Sequence, residues 1–234
     1  MSHCVRRTSK FVRGPQFGML AQNNDYCNAQ TFHQHSKDDW DIRTMSTQTQ
    51  SKLNHAHPLS GTEMSGAEMI VQVLADEGVD TIFGYSGGAI LPTYDAVFRY
   101  NEENAPEGED AMSLIVPANE QGACFMASGY ARATGRVGVV IVTSGPGATN
   151  CVTPVRDCTA DSIPIVVITG QVPTSSIGTD AFQEAPVSGV MGSVAKHVFL
   201  VTDPERLETT MRSAMEIARS GRPGPVVVDV PIED

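Results

Sequence analysis

Val137-Gly138-Val139-Val140-Ile141-Val142-Thr143, followed by Ser144-Gly145-Pro146-Gly147, is a run of apolar, mostly β-branched residues that breaks into a glycine–proline turn. It lacks the in/out alternation of a half-exposed strand. A strand covered on both faces by helices reads this way. Thr81–Tyr85, Met112–Pro117, Pro164–Thr169, His197–Val201 and Pro225–Val230 are further short β-rich runs, several of them apolar almost throughout. Helical stretches separate them. Ser65 and Glu68 make a capping box, Ala67, Ile70, Val71 and Leu74 keep helical spacing, and Gly78 stops that helix. Further helices are expected at about 89–100, 119–134, 148–159 and 203–220, the last opened by Asp203 and Pro204 and closed at Gly221. Six strands alternating with helices predict an α/β fold: a doubly wound six-stranded parallel sheet with helices on both faces.

Outside that pattern the texture changes. Residues 1–61 are rich in Gln, Asn, Ser, Thr and His and show no sustained apolar period, so a disordered polar extension is expected there and a folded domain over 62–234. Met45 offers a second start, which would make residues 1–44 an upstream extension; Arg6, Arg7, Lys10 and Arg13 also suit an organellar transit peptide. The location expected is therefore cytoplasmic, or organellar if 1–44 is such a peptide. His33/His35 and His55/His57 are read as incidental histidines of a polar tail. Cys4, Cys27, Cys124, Cys151 and Cys158 form no C-x-x-C pair and are expected to be free thiols. Residues 61–234 hold nine basic against 23 acidic groups, a balance unsuited to nucleic acid. No stretch approaches 18 uninterrupted apolar residues, so no membrane-spanning helix is expected.

In a doubly wound sheet, ligands sit outside the carboxyl ends of the strands. Ser86–Ala89, Ala118–Gln121, Ser144–Gly147 and the long Gly170–Pro186 segment follow strands and should gather on that edge. Neither glycine loop is a Walker or dinucleotide fingerprint. Ser144–Gly147 opens a helix and could hold an anion on its backbone N–H groups, or be a tight turn and nothing more. Glu120 stands at a strand exit in the first turn of a helix. Complementing the helix dipole is its simplest role.

Longer segments are more specific. Tyr85–Pro92 resembles the Y-P-G-G-A-I-L-P segment of acetolactate synthases. Asn119–Ala123 with Gly129–Gly135 is similar to their E-Q-G-A…G-Y-A-R-A-T-G block, and Thr143–Asn150 to their T-S-G-P-G-A-T-N. Ile168–Pro173, Ile177–Glu184 and Ser220–Val226 resemble I-T-G-Q-V-P, I-G-T-D-A-F-Q-E and S-G-R-P-G-P-V. The resemblance covers about 62–231 and points to the N-terminal, pyrimidine-binding domain of that family's catalytic subunit.

The resemblance implies a thiamine diphosphate-dependent transferase that condenses pyruvate with a second 2-oxo acid, releasing CO₂, at the first common step of branched-chain amino acid synthesis. It makes Glu120 the catalytic carboxyl group, hydrogen-bonded to N1′ of the cofactor's aminopyrimidine in an apolar cleft. Gly88, Pro146 and Asn150 would line the pyrimidine site. Phe182 and Gln183 would border the substrate pocket from a neighbouring subunit, and Arg222 would contact a non-redox FAD. The family's other partners are a second copy of the subunit, completing a composite site, and a small regulatory subunit. Departures are Asn119 where the family has His, Ser86 where it has Pro, Ile232 where it has Lys, and an extra acidic loop over Asn101–Asp110. No G-D-G occurs, so ligands for Mg²⁺ are not expected in this chain, nor are the flavin-type and diphosphate-binding domains. The chain alone would then be inactive. Another thiamine-dependent decarboxylase or oxidase, a non-catalytic assembly partner and a plain nucleotide-binding domain are the rival readings.

Overall fold

Unbroken runs of Val and Ile become the centre of the sheet. In the computed structural model, which describes residues 57–59, 61–106 and 109–232, β3 (Gly138–Val142) and β4 (Ile165–Gln171) are buried at every position. β1 (Thr81–Tyr85), β2 (Ser113–Ile115), β5 (His197–Leu200) and β6 (Val226–Pro231) complete a sheet of order β2-β1-β3-β4-β6-β5. All five pairings are parallel. Val139 and Ile141 enter the core on one face, Val140 and Val142 the core on the other. The period of two is present, but both faces are apolar, which hides it from the sequence.

Helices α1 (Gly66–Asp76), α2 (Leu91–Asn104) and α7 (Leu207–Arg219) contribute to the first core. Helices α3 (Glu120–Thr134), α5 (Val152–Asp161) and α6 (Val187–Gly192) contribute to the second. Short α4 (Pro146–Asn150) joins β3 to α5. The Ser65–Glu68 capping box forms in both directions, and Gly78 turns out of α1 at φ +74°.

Three expectations change. The run Met112–Pro117 pairs over three residues only, because it lies at the sheet edge and Pro117 has no N–H to give a ladder. The helix expected over 148–159 is two helices meeting at Cys151: Pro154 offers no N–H to the carbonyl of Asn150. At 203–220, Asp203 caps a single 3₁₀ turn (Pro204–Arg206) before α7 begins. Helix α6 was not expected at all.

Cys124, Cys151 and Cys158 are free and buried. Cys4, Cys27, Met45, the histidines His33, His35 and His55, and the rest of the polar extension through residue 56 lie outside the described residues. Among the described residues no helix is long and apolar enough to cross a membrane.

Candidate cofactor site

Because every strand is parallel, the four suspected loops all leave the same edge of the sheet. There α3 starts at Glu120. Asn119 caps it, accepting the N–H of Gly122 at 2.7 Å. The cap anchors the first turn, and Glu120 points inward with 9% of its surface exposed. Its Oε2 accepts from Asn150 Nδ2 at 2.9 Å. No hydrogen bond reaches Oε1 from the described residues. Asn150 closes α4, which Gly145 launches at φ +54° with Pro146 in its first turn. The Cys151 thiol lies 3.6 Å from the Gly147 carbonyl and 3.8 Å from that of Glu120, tying the two helix starts together.

Glycines set the spacing. A Cβ on Gly147 would stand 2.8 Å from Thr143 Cγ2 and 3.6 Å from Glu120 Oε1. One on Gly87 would sit 2.6 Å from Thr143 Cβ, and one on Gly170 2.5 Å from the Ala89 carbonyl oxygen. The Gly87–Ile90 turn therefore rests directly on β3 and β4. Gly88 faces open space, with nothing within 4 Å of a Cβ built there. Beneath the turn, Tyr94 donates to the Ile141 carbonyl at 2.9 Å. Burial, and then the charge of Glu120, raises its phenol well above the ordinary value. Thr143 Oγ1 is the one buried side-chain polar atom without a partner among the described residues.

The loop after β4 reaches the same corner. Gln183 takes φ +59°, and its carbonyl oxygen would lie 2.4 Å from a Cβ on Gly145. Phe182 beside it is 89% exposed. Glu184 braces the loop from inside, accepting from the backbone N–H groups of Gly178 and of Ala181, the latter at 3.1 Å. Those N–H groups, Gly178 first, hold its carboxyl below the usual range. Gly145 thus carries two constraints, a left-handed backbone and a covered Cβ position. Gly145→Ala is expected to lower the unfolding free energy by about 2 kcal/mol, read as a fall in the urea midpoint. An unchanged midpoint would mean that the loop does not sit on the turn.

Glu120, Pro146, Asn150 and Gln183 are thereby brought to one corner, with Gly88 on the neighbouring turn of the same edge. Arg222 is not. It precedes β6, at the opposite edge, where it donates to Ser162 Oγ at 2.8 Å and to the carbonyls of Thr159 and Ala160 at 3.0 and 3.1 Å. Those contacts cap the carboxyl end of α5. Thr143, Gly145 and Gln171 entered the sequence reading only as members of longer motifs, and Asp229 only inside a β-rich run, none with a role of its own. Gly170, inside an otherwise β-branched strand, was the available sign of a close backbone approach.

Residues 64–190 match the family model "Thiamine pyrophosphate enzyme, N-terminal TPP binding domain". The chain belongs to the thiamine pyrophosphate enzymes. Within them it is 53% identical over 168 residues to the mitochondrial acetolactate synthase catalytic subunit of Saccharomyces cerevisiae, covering 72% of this chain and 23% of that one. It is 51% identical over 168 residues to the acetolactate synthase isozyme 2 large subunit of Escherichia coli, covering 72% and 29%. With the large subunit of Haemophilus influenzae the figures are 49% over 169 residues, 72% and 28%. The chain spans about a quarter of the length of these curated relatives. Its likeness is to acetolactate synthase catalytic subunits, as the motifs implied.

Proposed function

We propose that this chain supplies the aminopyrimidine half of a thiamine diphosphate site in an acetolactate synthase, which condenses pyruvate with a second 2-oxo acid and releases CO₂. One observation carries the reading. Glu120 is nine-tenths buried, Asn150 holds one of its carboxylate oxygens, and the other takes no hydrogen bond from the described residues. That free oxygen is not sealed in the core, where Thr143 Oγ1 is the one buried side-chain polar atom without a partner among the described residues, so Oε1 opens on the cleft and is free to meet a ligand. The residues fit a flat aromatic ring: Gly147 keeps the space beside Oε1 free of a side chain, and Gly88 opens onto empty space.

Bound there, the cofactor would supply an electron sink for decarboxylation and carbon–carbon bond formation. The chain's own part is narrower. Glu120 would hold and pass a proton at Oε1, facing the ring nitrogen N1′. Asn150 fixes the plane of the carboxylate, Pro146 and the Gly88 backbone flank the ring, and Phe182 and Gln183 border the substrate pocket. Magnesium and the diphosphate would be held by another part of the assembled protein. Arg222 would serve FAD from the far edge, away from the glutamate.

A second copy is the proposed partner. Tyr85, Ile115, Val116, Phe125 and Met126 expose apolar surface at the ends of β1 and β2 and along α3. The names "large subunit" and "catalytic subunit" carried by the relatives support a smaller regulatory partner. The mitochondrial relative supports an organellar location if residues 1–44 are a transit peptide, and the bacterial relatives support a cytoplasmic one otherwise.

Saturation-transfer NMR of the chain with thiamine diphosphate tests the reading. The aminopyrimidine protons are expected to receive most of the saturation, and Glu120→Ala to remove it. Uniform saturation along the cofactor, or an unchanged signal in the variant, would overturn it.

A further inference from the structure

Two non-glycine residues of the loop over the Gly145 turn, Asp180 and Gln183, sit at φ +56° and +59°. Left-handed backbone costs such residues about 1–2 kcal/mol each, and it persists only where the surroundings over-determine the shape. Glu184 ties the loop to itself, but an internal tie does not fix a loop to the sheet.

The tie to the sheet is a side chain. Gln171, the last residue of β4, is 3% exposed. Its Nε2 donates to the Ala185 carbonyl at 3.1 Å, where the loop returns, and to Asp229 Oδ2 at 3.1 Å. Its Oε1 accepts the N–H of Val172 at 2.9 Å, where the loop departs. Both ends of the loop therefore meet on one amide. Asp229, on β6 and 1% exposed, accepts from Thr169 Oγ1 at 2.7 Å with its other oxygen. A carboxylate accepts and does not donate, so the amide must keep its nitrogen toward Asp229 and its oxygen toward Val172. An ionised carboxylate held only by neutral donors is a costly way to fill a core.

We infer that Gln171, oriented by Asp229, is a positioning residue that seats the Phe182–Gln183 loop on the Gly145 turn. Its bearing on catalysis rests on the proposed role of Phe182 and Gln183, whereas the seating itself does not. The loop carries the residues that would face the substrate, so the pair would govern substrate-side geometry without touching substrate.

Chymotrypsin cleavage after Phe182 in the native 234-residue chain, followed by mass spectrometry, reads the seating directly. Gln171→Met keeps the volume and removes both donors. Cleavage is expected to quicken about tenfold, as loss of hydrogen bonds that hold the closed loop allows. Gln171→Met also strips Asp229 of one donor and lowers the urea midpoint. The double variant Gln171→Met/Asp229→Val removes the buried charge as well and should restore that midpoint while cleavage stays fast. A merely structural pair would give the opposite result, with protection returning along with stability. Parental cleavage in Gln171→Met, or protection recovered in the double variant, would overturn the inference. Failure of thiamine diphosphate to bind would count against the proposed function alone and leave the cleavage ratios as they are.

Discussion

Glu120→Gln is expected to lower thiamine diphosphate-dependent turnover of the assembled protein by about 10²–10⁴-fold while leaving cofactor affinity nearly unchanged. The substitution keeps the shape of the side chain. Its amide oxygen can take the donation from Asn150 that Oε2 now receives at 2.9 Å. The amide nitrogen then stands where Oε1 stood, able to donate to a ring nitrogen but unable to accept or pass a proton. Binding and proton handling are separated by one atom. Complementing the helix dipole alone predicts a different pattern, since removing a first-turn charge costs about 0.3–1 kcal/mol of stability and no catalysis. Turnover and dissociation constant measured side by side settle the matter. If the glutamine variant keeps more than a tenth of parental turnover, Glu120 is not the proton-handling group.

The fold was legible because parallel sheets leave a composition that little else produces. Val137–Thr143 and Pro164–Thr169 could be read as strands covered by helices on both faces, since neither run alternates apolar with polar residues. Edges were harder: β2 is three residues long, and Pro117 limits the run without marking that pairing already ends at Ile115. Breaks inside helices needed Pro154 to be weighed against its i−4 carbonyl, a question of register that spacing alone leaves open. The site was legible where it rests on local motifs. Glu120, Pro146 and Asn150 lie on two such motifs, and parallel topology brings those to one edge. Its supports were not. Gln171 and Asp229 lie 58 residues apart in the chain and meet only through the β4–β6 pairing. Asn119 read as a departure from a family pattern, yet it caps the very helix that aims Glu120. Arg222 showed the reverse limit, since a motif identifies a residue without saying which edge of the sheet it will occupy.

Asp229→Asn is expected to stabilise the isolated chain by about 3 kcal/mol at pH 8 and by almost nothing at pH 4. Burial pushes the Asp229 carboxyl up to about 6, against the opposing effect of hydrogen bonds from Thr169 and Gln171. In the unfolded chain the group returns to about 3.9. Folding therefore favours its protonated form. Its contribution to stability is whole below about pH 4, falls away as pH rises toward and through about 6, and is level above that. Asparagine carries no charge to desolvate and keeps both contacts. Its Oδ1 can accept from Gln171, and its Nδ2 can donate to the Thr169 hydroxyl oxygen, so the amide of Gln171 stays oriented and the loop stays seated. The gain should therefore come without faster cleavage after Phe182, unlike the changes at Gln171 itself. Urea midpoints of parent and variant at pH 4, 6 and 8 check the sign: the two curves should converge in acid and separate through pH 6. Parallel curves over the whole range would mean that Asp229 titrates in the folded chain as it does in the unfolded one, and that its burial has no energetic cost to be relieved.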